Sequence, residues 1–325
     1  MRLASPHIDC DLDQALLGAA ELAVLIPCFN EEAAIKSVID AFKTELPTAE
    51  VYVFDNNSTD QTARVAAAAG AHVKREPMQG KGNVVRRMFA DVDADIYVMV
   101  DGDNTYDPRY VRPMIELLLS ENLDMVVGAR VTADEDAYRR GHRFGNRLLT
   151  NTVSHLFGNR FSDMLSGFRV FSRRFVKSFP AMSMGFETET ELTIHALELR
   201  LPVGEIQTPY AARPAGSASK LQTYSDGLKI LRLILILYKN ERPLQFFSVI
   251  AAFLGTVALI LGIPLFVTFA ETGLVYRQPT AILATGLVLL SALSFVAGLI
   301  LDTVTRGRRE MKRLAYLSLR RPGAN

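Results

Sequence analysis

Short apolar runs alternate with amphipathic segments through the first 130 residues of the chain. The amphipathic segments repeat apolar residues at helical spacing, which predicts helices over 31–43, 59–69, 82–90 and 108–120. The apolar runs are too short for helices and predict strands at 22–27, 51–54, 71–74, 96–100 and 125–128. Continuous apolar strands are buried on both faces, and strand–helix alternation is typical of a parallel sheet. We therefore predict a doubly wound α/β domain.

The middle of the chain has a mixed pattern. It predicts a helix over 146–157, a turn and strand over 163–171, a helix over 187–199 and a strand over 203–209. The acidic residues within 187–191 are expected to favour the start of their helix. Over 226–238, leucine and isoleucine then occur among widely spaced cations, which indicates a helix lying in a membrane interface. An ordinary packed helix fits this last pattern equally well.

Two long uncharged stretches follow. One covers 24 residues from 246 to 269, and the other covers 22 residues from 280 to 301. Each exceeds the roughly 20 residues that cross a hydrocarbon core of about 30 Å. The sequence therefore predicts an integral membrane protein with a two-helix transmembrane hairpin.

Charge is distributed unevenly along the 325 residues. The net charge is +1, although residues 306–325 alone carry seven basic residues and one acidic residue. Lys239 and Arg242 precede the first apolar stretch, whereas the loop between the two stretches has only Arg277. Positive flanks mark the cytoplasmic side, so the first domain and both termini are expected in the cytoplasm, at a membrane of the bacterial inner-membrane type.

The basic tail is expected to meet anionic lipid headgroups. No basic face runs through the rest of the chain, so nucleic acid is not an expected partner. The two cysteines, Cys10 and Cys28, cannot form a disulfide framework, and no Cys/His cluster indicates zinc.

Polar and acidic residues gather where the predicted strands end. Asn30 and Glu32 follow the first strand, Asp55 follows the second, and Asp101 and Asp103 follow the fourth. Ligands of open parallel sheets bind beyond the carboxyl ends of the strands. Two carboxylates on either side of a glycine supply the hard oxygen ligands that Mg²⁺ and Mn²⁺ prefer. We predict a Mg²⁺ or Mn²⁺ site at Asp101 and Asp103.

The order and spacing of the motifs carry a family resemblance. The segments 27–32, 55–60, 80–82 and 101–103 together resemble the inverting family 2 glycosyltransferases, and the segments 166–171 and 213–220 resemble their dolichyl- or polyprenyl-phosphate sugar synthase branch. The resemblance covers residues 21–240 and implies a GT-A fold, which is Rossmann-like with a mostly parallel sheet. Several members of the branch carry two C-terminal transmembrane helices. One departure is Asn56, where the commoner pattern has a second acid.

The resemblance implies a donor site for a nucleotide sugar, a UDP- or GDP-hexose. Pro27, Asn30 and Glu32 would line the nucleotide pocket, and Asp55 would contact the base or the ribose. Lys81 lies in a Gly-Lys-Gly segment that is not a P-loop, although its side chain is a candidate donor contact.

The resemblance also implies how the donor phosphates are held. Asp101 and Asp103 would hold the divalent ion against the diphosphate, with Asp103 in the more direct role. Arg213, Ser219 and Lys220 would lie on a loop that closes over the donor phosphates.

The acceptor side follows from the chemistry of a polyprenyl phosphate. Its second pKa is about 6, so the attacking phosphate oxygen is largely ionised at neutral pH and no strong base is required. Fixed cations must then screen two anions from each other, and Arg130 and Arg143 are the preferred pair. Asp163 would orient the acceptor, assist proton transfer or cap a loop. Arg169 would reach the acceptor or pair with a carboxylate inside the fold. Together with the metal-site residue Asp103, the candidate catalytic residues are Asp103, Asp163 and Arg169.

The predicted organisation has five parts: an N-terminal extension (1–20), a GT-A domain (21–222), an amphipathic interfacial helix (223–242), a transmembrane hairpin (243–303) and a basic cytoplasmic tail (304–325). The expected reaction is inverting transfer of a hexose from a nucleotide sugar to a polyprenyl phosphate. Another lipid acceptor, such as diacylglycerol, is an alternative, and so is a non-catalytic membrane scaffold that binds nucleotide sugars. Membrane lipids are expected partners, and the sequence leaves a homo-oligomer open.

Overall fold

The computed structural model describes residues 20–131, 161–182, 185, 187–211, 232 and 235–319. The chain divides into two compact units, one formed by residues 1–227 with 312–325 and the other by residues 228–311.

A seven-stranded sheet lies at the centre of the first unit. Its strands are β1 (Leu22–Cys28), β2 (Glu50–Asp55), β3 (His72–Arg75), β4 (Ile96–Met99), β5 (Met125–Val131), β6 (Arg169–Ser172) and β7 (Val203–Pro209). They lie side by side in the order β3-β2-β1-β4-β6-β5-β7. Strand β6 is antiparallel to both neighbours, and the other pairings are parallel. The prediction of an α/β fold with a mostly parallel sheet is confirmed.

Helices of the first unit cover the two faces of this sheet. They are α1 (Ile35–Glu45), α2 (Thr62–Ala68), α3 (Lys81–Asp91), α4 (Val111–Ser120), α5 (Arg173–Ser178) and α6 (Thr188–Glu198). On one face, buried side chains of α1 and α4 join a core that includes Val98 of β4. On the other face, Phe89 of α3 contacts Tyr97 and Phe171 edge to face. Tyr97 and Val98 are adjacent in β4, so their side chains point to opposite faces and each face has its own core.

The segment before β6 has the turn and strand that the sequence predicts over 163–171: its first residues form turns, and the strand begins at Arg169. The Oδ1 atom of Asp163 accepts a hydrogen bond from the main-chain N–H of Leu165 at 3.1 Å, which is an Asx-type turn and not an extended strand. The predicted helix over 146–157 lies outside the residues that the structure describes.

The chain's last described helix, α8 (Gln278–Leu317), ends on the first unit. The Nζ atom of Lys312 lies 2.7 Å from Oε2 of Glu198, a side chain with no solvent exposure. The hydroxyl of Tyr316 donates to Oδ2 of Asp124 at 2.7 Å, and the guanidinium of Arg174 lies 4.3 Å from the centre of the Tyr316 ring. The basic tail from residue 312 onward is therefore part of the first unit, and its expected contact with lipid headgroups stays a prediction.

The second unit contains α7 (Pro243–Thr272) and residues 278–311 of α8. Small residues lie between the two helices, where the hydroxyl of Ser291 donates to the carbonyl of Ala251 at 2.8 Å. Both helices are long and apolar enough to cross a membrane, and only 11% of the most apolar window of each is buried. A soluble core helix of this length would be mostly buried, so these two helices indicate membrane association.

The predicted interfacial helix over 223–242 lies largely outside the described residues. Its described part is helical at 232 and over 235–241.

Candidate active site

Strand register brings the predicted polar residues to one edge of the sheet. Cys28 at the end of β1 pairs with Asp55 at the end of β2, and Leu25 pairs with Met99 at the end of β4. Asp101 and Asp103 follow Met99 directly in the chain. The carboxyl ends of β1, β2 and β4 therefore form a common edge, which is where open parallel sheets bind their ligands.

Asn30 and Glu32 join the loop after β1 to the loop after β2. The side-chain oxygen of Asn30 accepts from the main-chain N–H of Thr59 at 2.8 Å, and Oε2 of Glu32 accepts from that of Gln61 at 2.9 Å. Asn30 has a φ of 55°, in the left-handed region that asparagine tolerates better than most residues. These two side chains tie the loop after β1 to the loop after β2, and Pro27 lies half-buried at the end of β1.

Asp55 is buried and keeps one oxygen unused. Its Oδ2 accepts from the main-chain N–H of Ser58 at 3.3 Å. Its Oδ1 is buried and has no hydrogen-bond partner among the residues that the structure describes. Leaving a buried carboxylate oxygen without a hydrogen bond costs free energy. Oδ1 is therefore suited to accept a hydrogen bond from an N–H or O–H group of a bound nucleoside.

The contacts of Asn56 explain why an amide lies where the commoner pattern has a second acid. Its Nδ2 donates to the carbonyls of Glu76 and Met78 at 2.9 and 2.8 Å, and its Oδ1 accepts from the N–H of Gly80 at 2.7 Å. A carboxylate could accept from Gly80 but could not donate to the carbonyls. The amide therefore holds the 76–80 loop, which leads directly into Lys81.

Lys81 lies between two carboxylates. Its Nζ is 2.5 Å from Oδ1 of Asp101 and 2.5 Å from Oε1 of Glu189. Burial alone would lower the pKa of Lys81, but attraction to Asp101 and Glu189 outweighs it and raises that pKa above its ordinary value. Lys81 is therefore a permanent cation beside the predicted metal ligand.

Sequence reasoning missed Glu189. It assigned the acids of 187–191 to the start of α6, because helical spacing reports neighbours on one helix and not a partner on α3. The signal that the sequence did offer was the cluster of acidic residues in the first turn of this helix.

The residues of the predicted metal site fit a divalent ion. Asp101 is 29% exposed, and Asp103 is buried, with its Oδ1 accepting from the hydroxyl of Thr105 at 2.6 Å. Within the described ranges, no group of three or more His, Cys, Asp or Glu residues could hold a metal ion. Mg²⁺ is commonly held by one or two carboxylates together with substrate phosphates and water. Two carboxylates at a strand end match that donor set.

Gly167 packs against Asp101. A Cβ atom on Gly167 would lie 2.3 Å from Oδ2 of Asp101, so no larger residue fits there without moving the carboxylate. The N–H of Gly167 donates to the hydroxyl of Tyr106 at 2.9 Å. The glycine of the Ser-Gly-Phe motif is therefore a close-approach position beside Asp101.

Arg130 and Asp163 form a two-point ion pair. Nε and Nη2 of Arg130 donate to Oδ2 and Oδ1 of Asp163 at 2.6 and 2.9 Å, and the Arg130 main-chain N–H donates to Oδ2 at 3.2 Å. Burial would raise the pKa of Asp163, but the hydrogen bonds and charge of Arg130 outweigh it and hold that pKa below its usual value. Arg130 also lies 5.4 Å from the centre of the Tyr210 ring.

Arg169 lies behind this site and not in it. The side chain is completely buried. Its Nη2 donates to the carbonyl of Met164 at 2.6 Å, its Nε donates to that of Ser166 at 2.9 Å, and its Nη1 donates to the hydroxyl of Thr193 at 3.0 Å. Burial lowers the pKa of Arg169 to about 10. These contacts give Arg169 an internal role, because its guanidinium holds the loop before β6 through two carbonyls, a hydroxyl and the sulfur of Met125, and its predicted contact with the acceptor stays a prediction.

The structure thus brings Asp101, Asp103, Lys81, Asp55 and the Arg130–Asp163 pair to the carboxyl edge of one sheet. Four other predicted site residues lie outside the described part of the chain: Arg143, Arg213, Ser219 and Lys220.

Comparisons with known proteins show the family to which the chain belongs. A model of the family described as glycosyl transferase family 2 matches residues 23–179. The glycosyltransferase AglJ of Haloferax volcanii is 31% identical, over 91% of this chain and 98% of its own length. A dolichyl-phosphate hexose transferase of the same organism is 30% identical, over 68% of this chain and 96% of its own length. The chain is a glycosyltransferase, and it belongs to family 2.

Solved structures show the same fold. The glucosyl-3-phosphoglycerate synthase of Mycobacterium tuberculosis is 26% identical, with a TM-score of 0.55 over 69% of this chain and 82% of that chain. That enzyme has also been crystallised in complex with Mn²⁺, UDP and phosphoglyceric acid.

Proposed function

We propose that this protein transfers a hexose from a nucleoside-diphosphate sugar to a polyprenyl phosphate, with inversion at the anomeric carbon, using Mg²⁺ or Mn²⁺ at the cytoplasmic face of a membrane. An acceptor phosphate oxygen forms the new bond to C1 of the hexose. The bond from C1 to the donor diphosphate breaks, and the nucleoside diphosphate leaves with the electron pair.

The donor side is supported by the carboxyl edge of the sheet. The Oδ1 atom of Asp55 would accept a hydrogen bond from an N–H or O–H group of the nucleoside. Lys81 places a fixed positive charge next to Asp101. Asp101 and Asp103 would hold the divalent ion, which when bound neutralises the negative charge that develops on the leaving diphosphate. The complex of a structurally similar synthase with Mn²⁺ and UDP supports the same donor chemistry.

The Arg130–Asp163 pair carries the proposal on the acceptor side. A hydroxyl acceptor must lose a proton, and a general base works best when its pKa lies near the operating pH. Both carboxylate oxygens of Asp163 are bound to Arg130, and its pKa is lowered. Asp163 is therefore a weak base, and this arrangement suits an acceptor that brings its own ionised oxygen. A phosphate does so, and Arg130 gives it a cation to bind.

The polyprenyl chain is supported by the two apolar helices and by one relative. Helices α7 and α8 indicate membrane association, and one relative, similar over 68% of this chain, is a dolichyl-phosphate hexose transferase. Basic residues at both outer ends of the hairpin support a cytoplasmic catalytic domain.

A donor panel tests the proposal. Purified full-length protein in detergent is incubated with Mn²⁺ or Mg²⁺, undecaprenyl phosphate and each of several radiolabelled UDP- and GDP-hexoses, and the label in the organic phase is counted. We expect label from one donor, dependent on metal and lost in Asp103→Ala. Donor hydrolysis without lipid-linked label would move the proposal to another acceptor. Silence from every donor would favour a non-catalytic scaffold.

A further inference from the structure

Glu205 on the edge strand β7 holds the segment that follows the undescribed part of the chain. Glu205 pairs with Val127 of β5, three positions before Arg130 in the same strand. Its Oε1 accepts from the main-chain N–H and the hydroxyl of Ser162 at 3.1 and 2.9 Å and from the N–H of Asp163 at 3.1 Å. Its Oε2 accepts from the N–H of Ser162 at 3.0 Å. One carboxylate therefore fixes two consecutive residues.

The segment 162–167 connects the acceptor side of the site to the metal side. At its start, Asp163 binds Arg130. At its end, Gly167 packs on Asp101. The hydroxyl of Ser166 donates to the carbonyl of Gly128 at 2.5 Å, which fastens the same segment to β5.

We propose that Glu205 is a positioning residue, which fixes the 162–167 segment so that Asp163 presents Arg130 to the acceptor phosphate. The assignment of Arg130 to the acceptor rests on the proposed function. The position of Arg130 relative to Asp163 and Glu205 rests on the contacts themselves. Glu205 touches neither donor nor acceptor in this arrangement and acts through Asp163.

A carboxylate is required because every partner of Glu205 is a donor. Its two oxygens receive two main-chain N–H groups and one hydroxyl. Glutamine has the same shape, but it replaces one oxygen by an NH₂ group that can only donate. With its oxygen kept at the Oε1 position, the glutamine of Glu205→Gln sets its NH₂ group against the N–H of Ser162 and lacks the negative charge that all these donors share, which loosens the first residues of the segment.

Glu205→Gln in the full-length protein tests this role, with Glu121→Gln as the matched control. Glu121 is an exposed carboxylate at the end of α4. We expect the KM for undecaprenyl phosphate to rise at least about tenfold in Glu205→Gln, since the hydrogen bond to Oε2 is lost and the others no longer go to a charged group. The KM for the nucleotide sugar should change less than about twofold. General destabilisation would not separate the two constants in this way.

A second measurement does not depend on the identity of the acceptor. The reactivity of Arg130 towards phenylglyoxal, read by peptide mass spectrometry, should rise several-fold in Glu205→Gln and stay at the wild-type level in Glu121→Gln. If the wild type does not use undecaprenyl phosphate, the proposed function fails while this readout still decides the role of Glu205. Unchanged Arg130 reactivity in a folded variant, or an unchanged acceptor KM in an active one, overturns the inference.

Ser162→Ala covers the case in which Glu205→Gln does not fold. This variant removes one hydrogen bond of the four and keeps both main-chain N–H groups. We expect the acceptor KM to rise about threefold, with the donor KM unchanged. Equal changes in both constants would contradict the inference.

Discussion

Replacing Asp163 by asparagine removes the charge of the side chain and keeps its shape. The amide oxygen still accepts from Arg130, but the amide nitrogen meets a guanidinium that can only donate. The side chains of Arg130 and Asp163 are 13% and 8% exposed, so the variant leaves a largely buried cation without its counter-charge. Breaking a buried pair from one side costs about 3–5 kcal/mol, and we expect about 3 kcal/mol because Arg130 keeps some contact with solvent.

The expected effect of Asp163→Asn on turnover is smaller than the loss of a general base. Losing a base typically lowers rates by about 10²- to 10⁴-fold. If the acceptor is a phosphate, Asp163 only orients Arg130, and kcat/KM should fall about tenfold, which corresponds to about 1.4 kcal/mol.

The pH dependence gives a second criterion. The pKa of Asp163 is lowered in the folded protein, so its contribution to stability is present above the unfolded pKa of about 3.9 and is lost as the pH falls through the lower folded value. Between about pH 5 and pH 8, wild type and variant should therefore differ by a constant factor.

The assay measures kcat/KM with undecaprenyl phosphate across that pH range, in wild type, Asp163→Asn and Asp40→Asn. Asp40 is an exposed acid on α1 whose partner is Lys36, one turn earlier. A fall in kcat/KM of about 10³-fold or more in Asp163→Asn would show that Asp163 acts as a general base. The same conclusion would follow if the acidic limb of the pH profile disappeared in Asp163→Asn alone.

Three further variants test other parts of the site. Lys81→Met should raise the donor KM about tenfold or more because Asp101 and Glu189 lose their shared cation; an unchanged donor KM relative to Lys36→Met would contradict this. Asn56→Leu should destabilise the first unit by about 2 kcal/mol and raise the donor KM, as measured by thermal unfolding and donor titration; wild-type values for both would show that the 76–80 loop does not depend on this amide. Tyr316→Phe should cost about 1 kcal/mol, since the carboxylate of Asp124 loses a donor, and should lower the unfolding temperature relative to the exposed control Tyr276→Phe; equal unfolding temperatures would exclude this contact as a source of stability.

Local sequence pattern predicted the strands of the sheet and the acidic edge, but it missed the short helix α5 (Arg173–Ser178). The apolar run of β4 predicted a strand buried on both faces, and the polar residues after β1, β2 and β4 met at one edge because parallel strands end there together. These features depend on residues close in sequence and on one rule of sheet topology.

Contacts between distant segments were not predictable in the same way. The ion pair between Lys81 and Glu189 joins α3 to α6. The hydrogen bond from Ser162 to Glu205 joins a loop to an edge strand. Periodicity reports which face of an element is apolar, but not which polar partner lies opposite. Arg169 shows the same limit, because the motif left open a contact with the acceptor or with a carboxylate inside the fold, whereas its guanidinium donates to buried carbonyls.

The central claim is that the acceptor supplies its own ionised oxygen. It is tested most directly by offering the purified full-length protein, with its metal and its labelled donor, undecaprenyl phosphate and undecaprenol in parallel. The two lipids differ only in the phosphate. The account predicts labelled product from the phosphate and none from the alcohol. Transfer to the alcohol at a comparable rate would contradict it.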